Sequence, residues 1–232
     1  MKISAVIPAH NEMNSIGDVV RCCKQYCDEI IVVDDGSTDG TCAVSEAAGA
    51  MVIRNKTNKG IVKSTEIGLQ AASGEIIVTL DADGQHDASE IPVMVRPIAQ
   101  DVADLVLGKR NDDRPLSEHV ISGICNLRVK CDDVGSGYRA FRRDLAHEIR
   151  LWGFCLCGSL VLEAQRRGAR IVEVSIEIRP RSFGKSHWSS PLSRGTTHCK
   201  QAILLLHYIC KGNLSERDQE GLPNETSPSK QP

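Results

Sequence analysis

The chain has 232 residues, 41% of them hydrophobic and 25% charged, with a formal charge of −2. That length carries one sizeable α/β domain with its own core. A near-neutral balance argues against a nucleic-acid binder, which needs a marked basic bias, and with aromatics at only 3% stacking platforms for bases or sugars are few.

Ten cysteines in a chain this long do not read as a disulfide scaffold, a device of much smaller domains. Met1-Lys2 leads straight into the first apolar run, with no signal-peptide pattern. The cysteines therefore read as reduced, intracellular and mostly small core fillers. Cys22, Cys23 and Cys27, or Cys155 and Cys157, could ligate a metal, although neither group has the Cys-x-x-Cys pairing of a zinc site. No run approaches the about 20 apolar residues of a membrane span. Residues 213–232 are polar and rich in Ser, Pro, Glu and Lys, and read as a disordered tail after a domain over residues 1–212.

In chain order, residues 3–7 predict a strand that Pro8 stops. His10-Asn11-Glu12 follows as a loop, and Asn14 or Ser15 can cap a helix to about residue 26, with Ile16, Val19, Val20 and Cys23 on one face. Residues 29–33 predict a second buried strand, ending in the turn-rich run Asp34-Asp35-Gly36-Ser37-Thr38-Asp39-Gly40. A helix over 41–48 closed by Gly49, a strand over 50–54 and a helix over 61–72 ended by Gly74 come next. The strand over 76–80 ends in Asp81, Asp83, Gln85 and Asp87. A helix over 92–100 precedes a strand over 105–108 that ends in Lys109-Arg110.

This alternation argues for a mostly parallel sheet with helices on both faces. Ligands of such sheets bind beyond the C-terminal strand ends, where every polar motif so far is found. The second half is less regular. It offers a helix over 117–130, a Gly-rich turn over 132–139, a buried segment from Ala140-Phe141, a helix over 159–167 ended by Gly168, a strand over 170–178 and a basic loop over 179–186.

Asp81 and Asp83 repel one another unless a cation stands between them. Hard oxygens of this kind suit Mg²⁺ or Mn²⁺, which can hold a diphosphate. The plainer alternative is an acidic turn in which Asp87 or Ser89 caps the next helix. The Arg and Lys side chains of the basic loop can clamp phosphate oxygens, or the loop is simply solvated.

Val6-Ile7-Pro8-Ala9-His10-Asn11-Glu12, Val33-Asp34-Asp35-Gly36-Ser37-Thr38-Asp39-Gly40-Thr41 and Asp81-Ala82-Asp83-Gly84-Gln85-His86-Asp87 together resemble the family 2 glycosyltransferases. The nearest subgroup is the polyprenyl-phosphate sugar transferases, the dolichol-phosphate mannose or glucose synthases. Ser136-Gly137-Tyr138-Arg139-Ala140-Phe141-Arg142 and Arg181-Ser182-Phe183-Gly184-Lys185-Ser186 resemble two later motifs of that subgroup.

The resemblance implies a GT-A fold with a Rossmann-like sheet. It implies inverting, Mg²⁺- or Mn²⁺-dependent transfer of mannose or glucose from a GDP- or UDP-sugar to a polyprenyl (dolichyl) phosphate. By the same resemblance Pro8, His10 and Glu12, with Asp34 or Asp35, would hold base and ribose. Asp81 and Ala82 would contact the ribose and sugar diphosphate, and Asp83 and Gln85, with Asp81, the metal. Arg110, Arg139, Arg181 and Lys185 would face the donor diphosphate or the acceptor phosphate. Asp133 is a candidate for an orienting or basic role, with a turn role as the alternative. Contact with the cytoplasmic membrane face would be peripheral, through the helix over 117–129 and the region 188–208. Two other readings are a soluble or polysaccharide acceptor and a non-catalytic sugar-nucleotide binder.

Overall fold

Short runs rich in Val and Ile become strands here because helices cover both of their faces. In the computed structural model, which describes residues 1–111, 114–181 and 191–211, seven strands form one sheet. They are β1 (Ile3–Ala9), β2 (Glu29–Asp34), β3 (Met51–Arg54), β4 (Ile76–Thr79), β5 (Leu105–Arg110), β6 (Arg139–Arg142) and β7 (Ile171–Ile176). Their order is β3-β2-β1-β4-β6-β5-β7. All pairings are parallel except those of β6, which runs antiparallel between β4 and β5. The helices are α1 (Ile16–Cys23), α2 (Thr41–Ala47), α3 (Ile61–Ala71), α4 (Ile91–Ala99), α5 (Leu116–Cys125), α6 (Arg143–Glu148), α7 (Ser159–Arg166) and α8 (Pro191–Lys211). The tail over 213–232 and Lys185 lie outside the described residues.

Alternate strand residues feed two cores. Val6, Ile31, Val33, Ile77, Leu105, Leu107 and Phe141 meet Leu69 of α3, Leu160 of α7 and Leu205 of α8 on one face. Ala5, Ile7, Val32, Val78, Val106 and Ala140 meet Ile16 and Val20 of α1 and Ile91 and Met94 of α4 on the other. Gly68 lets α3 lie close on the first face, since a Cβ there would stand 2.3 Å from Cγ1 of Val6. All ten cysteines are free thiols, and Cys23, Cys125, Cys131, Cys155 and Cys157 are buried.

Besides α1, which stops at Cys23 rather than about residue 26, and α6 and α8, which had no predicted counterpart, three elements differ from expectation. β1 continues through Pro8 to Ala9 rather than stopping at residue 7. The Val6 carbonyl accepts from Leu80 N–H at 3.1 Å, so Pro8, two residues on, points the same way, past the last β4 pair at Thr79. Its missing N–H costs the ladder nothing there. α5 stops at Cys125 rather than running to 130, and Oδ1 of Asn126 accepts from the Cys131 N–H at 2.8 Å, turning the chain away. The segment at Ala140-Phe141 is the antiparallel β6. Because β6 runs backwards, its first residue and the preceding glycine-rich turn reach the edge where the parallel strands end.

No helix among the described residues is long and apolar enough to cross a membrane.

Phe141 is fully buried in the middle of the sheet. Phe141→Ala should cost about 3–5 kcal/mol, read as a lower urea midpoint at unchanged slope. A loss below about 1 kcal/mol would mean that this core collapses freely around the gap.

Candidate active site

The loops after β1 and β2 lock together. His10 Nδ1 lies 2.9 Å from the Asp35 carbonyl, and Asn11 N–H donates to Ser37 Oγ at 3.0 Å. Asn11 adopts φ +55°, a conformation that Asn tolerates better than most residues, and its Oδ1 accepts from Thr38 N–H at 2.9 Å. Asp34 and Asp35 are buried. Asp34 Oδ1 accepts from Ser37 N–H at 3.0 Å. Asp35 accepts from Asn55 Nδ2 at 2.9 Å and from the Lys59 and Gly60 N–H groups at 2.8 Å each. One or the other was expected at a base and ribose; both carboxylates here hold the loops after β1, β2 and β3 in place. Pro8 and Ala82 are buried too, Ala82 within the second core.

At the end of β4, Asp81 keeps 46% of its side chain exposed, and Asp83 keeps 13%. Burial, then the charge of Asp81, pushes the Asp83 carboxyl above its ordinary range. Gly84 turns the chain with φ +78°. His86 is buried, and burial drives its pKa down, so it stays neutral near pH 7. Its Nδ1 accepts from Asp81 N–H at 3.1 Å, which leaves the proton on Nε2, 3.7 Å from Asp81 Oδ2. Gly137 makes room for Asp81, because a Cβ there would stand 2.5 Å from its Oδ1.

The segment after β7 crosses this acidic loop. Ile178 bridges to His86, and Arg179 N–H donates to the Gln85 carbonyl at 2.9 Å. Gln85 Nε2 donates to the Arg179 carbonyl at 3.2 Å, which leaves Oε1 as an acceptor. Arg181 donates to Asp83 Oδ2 at 3.1 Å and also pairs with Glu12. One guanidinium thus joins the ends of β1 and β4. Asp87 accepts from Ser89 N–H at 2.9 Å and caps the short turn before α4. The capping alternative therefore accounts for Asp87; Asp83 accepts from Gln85 N–H at 3.1 Å within its own turn.

A divalent ion is tested by the donor set. Asp81, Asp83 and Oε1 of Gln85 are hard oxygens on one loop, and Arg181 already supplies a positive charge there. Two carboxylates and an amide suit Mg²⁺ or Mn²⁺, whose other ligands are waters and substrate phosphates.

Beyond β5, Arg110 donates to Asp133 through Nε and Nη2, both at 2.8 Å, and to Glu118 at 2.5 Å. Asp133 is fully buried, and Arg114 stands 3.6 Å from it. Burial alone would raise its pKa, but the Arg110 hydrogen bonds and charge hold it below the ordinary carboxylate range. Gly135 permits this packing, since a Cβ there would lie 2.7 Å from Oε2 of Glu118. Arg139, expected at a phosphate, is 1% exposed. As the first residue of β6 it is walled in by Thr79 and Leu107. Its Nη2 donates to the Val134 and Leu156 carbonyls at 3.3 and 3.4 Å, while Nε and Nη1 have no hydrogen-bond partner.

The structure thus gathers His10, Glu12, Asp34, Asp35, Asp81, Asp83, Gln85 and Arg181 at the ends of β1, β2 and β4, and Arg110 with Asp133 beyond β5. Two members went unforeseen, His86 and Glu118. His86 stood inside a recognised motif; nothing near Glu118 in the chain signalled its pairing.

The family model for glycosyl transferase family 2 matches residues 4–150. An undecaprenyl-phosphate mannosyltransferase of Micrococcus luteus is 28% identical over 82% of this chain and 88% of its own length. An undecaprenyl-phosphate 4-deoxy-4-formamido-L-arabinose transferase of Sodalis glossinidius is 31% identical over 81% of this chain, which spans 63% of that relative. Among solved structures, glucosyl-3-phosphoglycerate synthase of Mycobacterium tuberculosis, bound to Mn²⁺, UDP-glucose and phosphoglyceric acid, superimposes with a TM-score of 0.75 at 26% identity, over 90% of this chain and 80% of its own.

Breaking a buried ion pair from one side costs about 3–5 kcal/mol, so Asp133→Asn should lower stability by that order at pH 7. Because the folded pKa of Asp133 is depressed, its contribution is present above the unfolded value of about 3.9 and lost as pH falls through the folded one. The gap between the two urea midpoints should therefore begin to shrink below about pH 4 and close only as pH falls through the folded pKa. A gap that stays constant down to pH 3 would show that Asp133 acts through packing alone.

Proposed function

Because this chain belongs to glycosyl transferase family 2 and has the α/β sheet of GT-A enzymes, we propose that it moves a hexose, mannose or glucose, from a GDP- or UDP-sugar to a polyprenyl phosphate. The observation that carries the donor half is the carboxylate pair at the tip of β4, with a guanidinium already bridging Asp83 to Glu12. Asp81, Asp83 and Gln85 would hold Mg²⁺ or Mn²⁺. When bound, that ion neutralises the charge that develops on the departing diphosphate. Arg181 stands at the same place and adds a fixed donor to those oxygens. His10 and the interlocked loops after β1 and β2 shape the nucleoside end.

The acceptor half rests on charge and surface. Asp133 is committed to Arg110, so it orients that guanidinium rather than taking a proton. A phosphate monoester suits such a site, since its second pKa is about 6 and its oxygen is already anionic when it attacks. Near this edge a pocket of about 320 Å³ is lined by Lys109, Arg114, His119, Asn126 and Asp132. On the neighbouring stripe of α5 and just past its end, Leu116, Val120 and Leu127 are exposed, as are Ile203 and Leu206 of α8. α5 and α8 are joined by a 2.8 Å contact of Ser117 Oγ with His198 Nδ1. Exposed apolar side chains beside a pocket where Lys109 pairs with Asp132 and Arg114 stands by Asp133 fit a peripheral enzyme that takes a lipid phosphate from a membrane surface.

Transfer from GDP- and UDP-hexoses should be assayed with Mn²⁺, against polyprenyl phosphate and against 3-phosphoglycerate. The proposal expects product with the lipid phosphate, and a loss of about 10²-fold or more in Asp83→Ala. Product with 3-phosphoglycerate alone would replace the lipid acceptor by a soluble one. Donor binding without transfer or hydrolysis would make the chain a binder. Leu116→Glu combined with Ile203→Glu should weaken sedimentation with anionic vesicles while leaving donor binding intact, and unchanged sedimentation would remove the membrane face.

A further inference from the structure

Away from the acidic loop, the turn before α7 places two thiols against the first half of α8. Sγ of Cys155, Sγ of Cys157 and a ring nitrogen of His198 all lie within 4.8 Å of one another. Cys157 Sγ is 4.0 Å from His198 Nε2. The three residues are 3%, 9% and 4% exposed. We propose that Cys155, Cys157 and His198 form a second metal site, built for zinc and separate from the donor carboxylates.

The ligand chemistry selects the ion. Two thiols and an imidazole are soft to borderline ligands that suit zinc and disfavour Mg²⁺. Zn–S and Zn–N bonds of about 2.3 and 2.0 Å set tetrahedral ligand atoms roughly 3.5–3.8 Å apart. The Cys157–His198 pair needs to close by only a few tenths of an ångström to reach that spacing. Three protein ligands leave the fourth position to a water, the pattern of open zinc sites.

The surroundings support the imidazole in that role. Ser117 Oγ lies 2.8 Å from His198 Nδ1. A proton on Nδ1 donated to that hydroxyl leaves the Nε2 lone pair turned toward the sulfurs, the usual outer hydrogen bond of a metal-bound histidine. Burial of all three ligands argues against a thiol nucleophile, which a substrate would have to reach. The ion would tie α8 to the turn ahead of α7.

The full chain, purified without chelator, should carry about one zinc per molecule by inductively coupled plasma mass spectrometry. Asp83→Ala should keep that zinc, which separates this site from the donor metal. Cys157→Ser and His198→Ala should each lose it by about tenfold or more. Cobalt in place of zinc should give a thiolate-to-cobalt charge-transfer band that Cys157→Ser abolishes. If those variants do not fold, the cobalt spectrum of the unaltered protein and its zinc loss to a chelator still decide. A folded protein with no zinc and no cobalt–thiolate band, or zinc retained in Cys157→Ser, overturns the proposal.

Discussion

The repulsion between two carboxylates at the tip of β4 organises the site around it. Two like charges 4 Å apart cost about 1 kcal/mol in water and about 4 kcal/mol near a protein surface. Burial, and then the charge of Asp81, raises the Asp83 pKa. The neighbours relieve that stress without removing it. His86 remains neutral and bonded to the Asp81 backbone, so it adds no permanent counter-charge. The charge comes from Arg181, carried in by a segment that crosses from the far edge of the sheet. A site that recruits a guanidinium from 98 positions away has a standing demand for positive charge, which a divalent ion can meet.

The reversed strand makes the rest possible. The six parallel ends alone would offer only the loops that follow each strand. β6 instead delivers a glycine-rich turn to the same edge, and those glycines are there for room. Gly135 and Gly137 sit under the carboxylates of Glu118 and Asp81, so any side chain would push an acidic group out of place. The motif that looked like a phosphate grip is in large part a packing device that seats Asp81 on one side and the Arg110–Asp133 pair on the other.

What could be read in advance follows from how local each signal is. The parallel half is written in short Val- and Ile-rich runs punctuated by glycine, and all five of its strands are where those runs lie. β6 was hidden because a four-residue strand with arginine at both ends has no clear period. The carboxylates after β4 were legible as candidate hard ligands at a strand end. Their counter-ion was not, because the Arg181–Glu12 contact joins residues 169 positions apart. Arg139 shows the opposite error: a charged side chain in a functional motif suggests a ligand, yet its register opposite Thr79 and Leu107 seals it inside. His198 was invisible as a neighbour of Cys155 and Cys157 because only the packing of α8 against α5 brings it near.

The fate of Asp133 bears on the choice of acceptor. A sugar hydroxyl must lose a proton to become a competent nucleophile, and that calls for a base with a pKa near the working pH. Asp133 is pulled the other way: its lone pairs accept from Arg110 and from the Arg110 and Gly135 backbone N–H groups. A carboxylate so engaged is a weak base but a firm anchor for a cation. Arg110 in turn is held by Glu118 as well, so two carboxylates already match its charge. An edge whose buried carboxylate is disarmed as a base favours an acceptor that brings its own negative charge, and among sugar acceptors that describes a phosphate better than an alcohol.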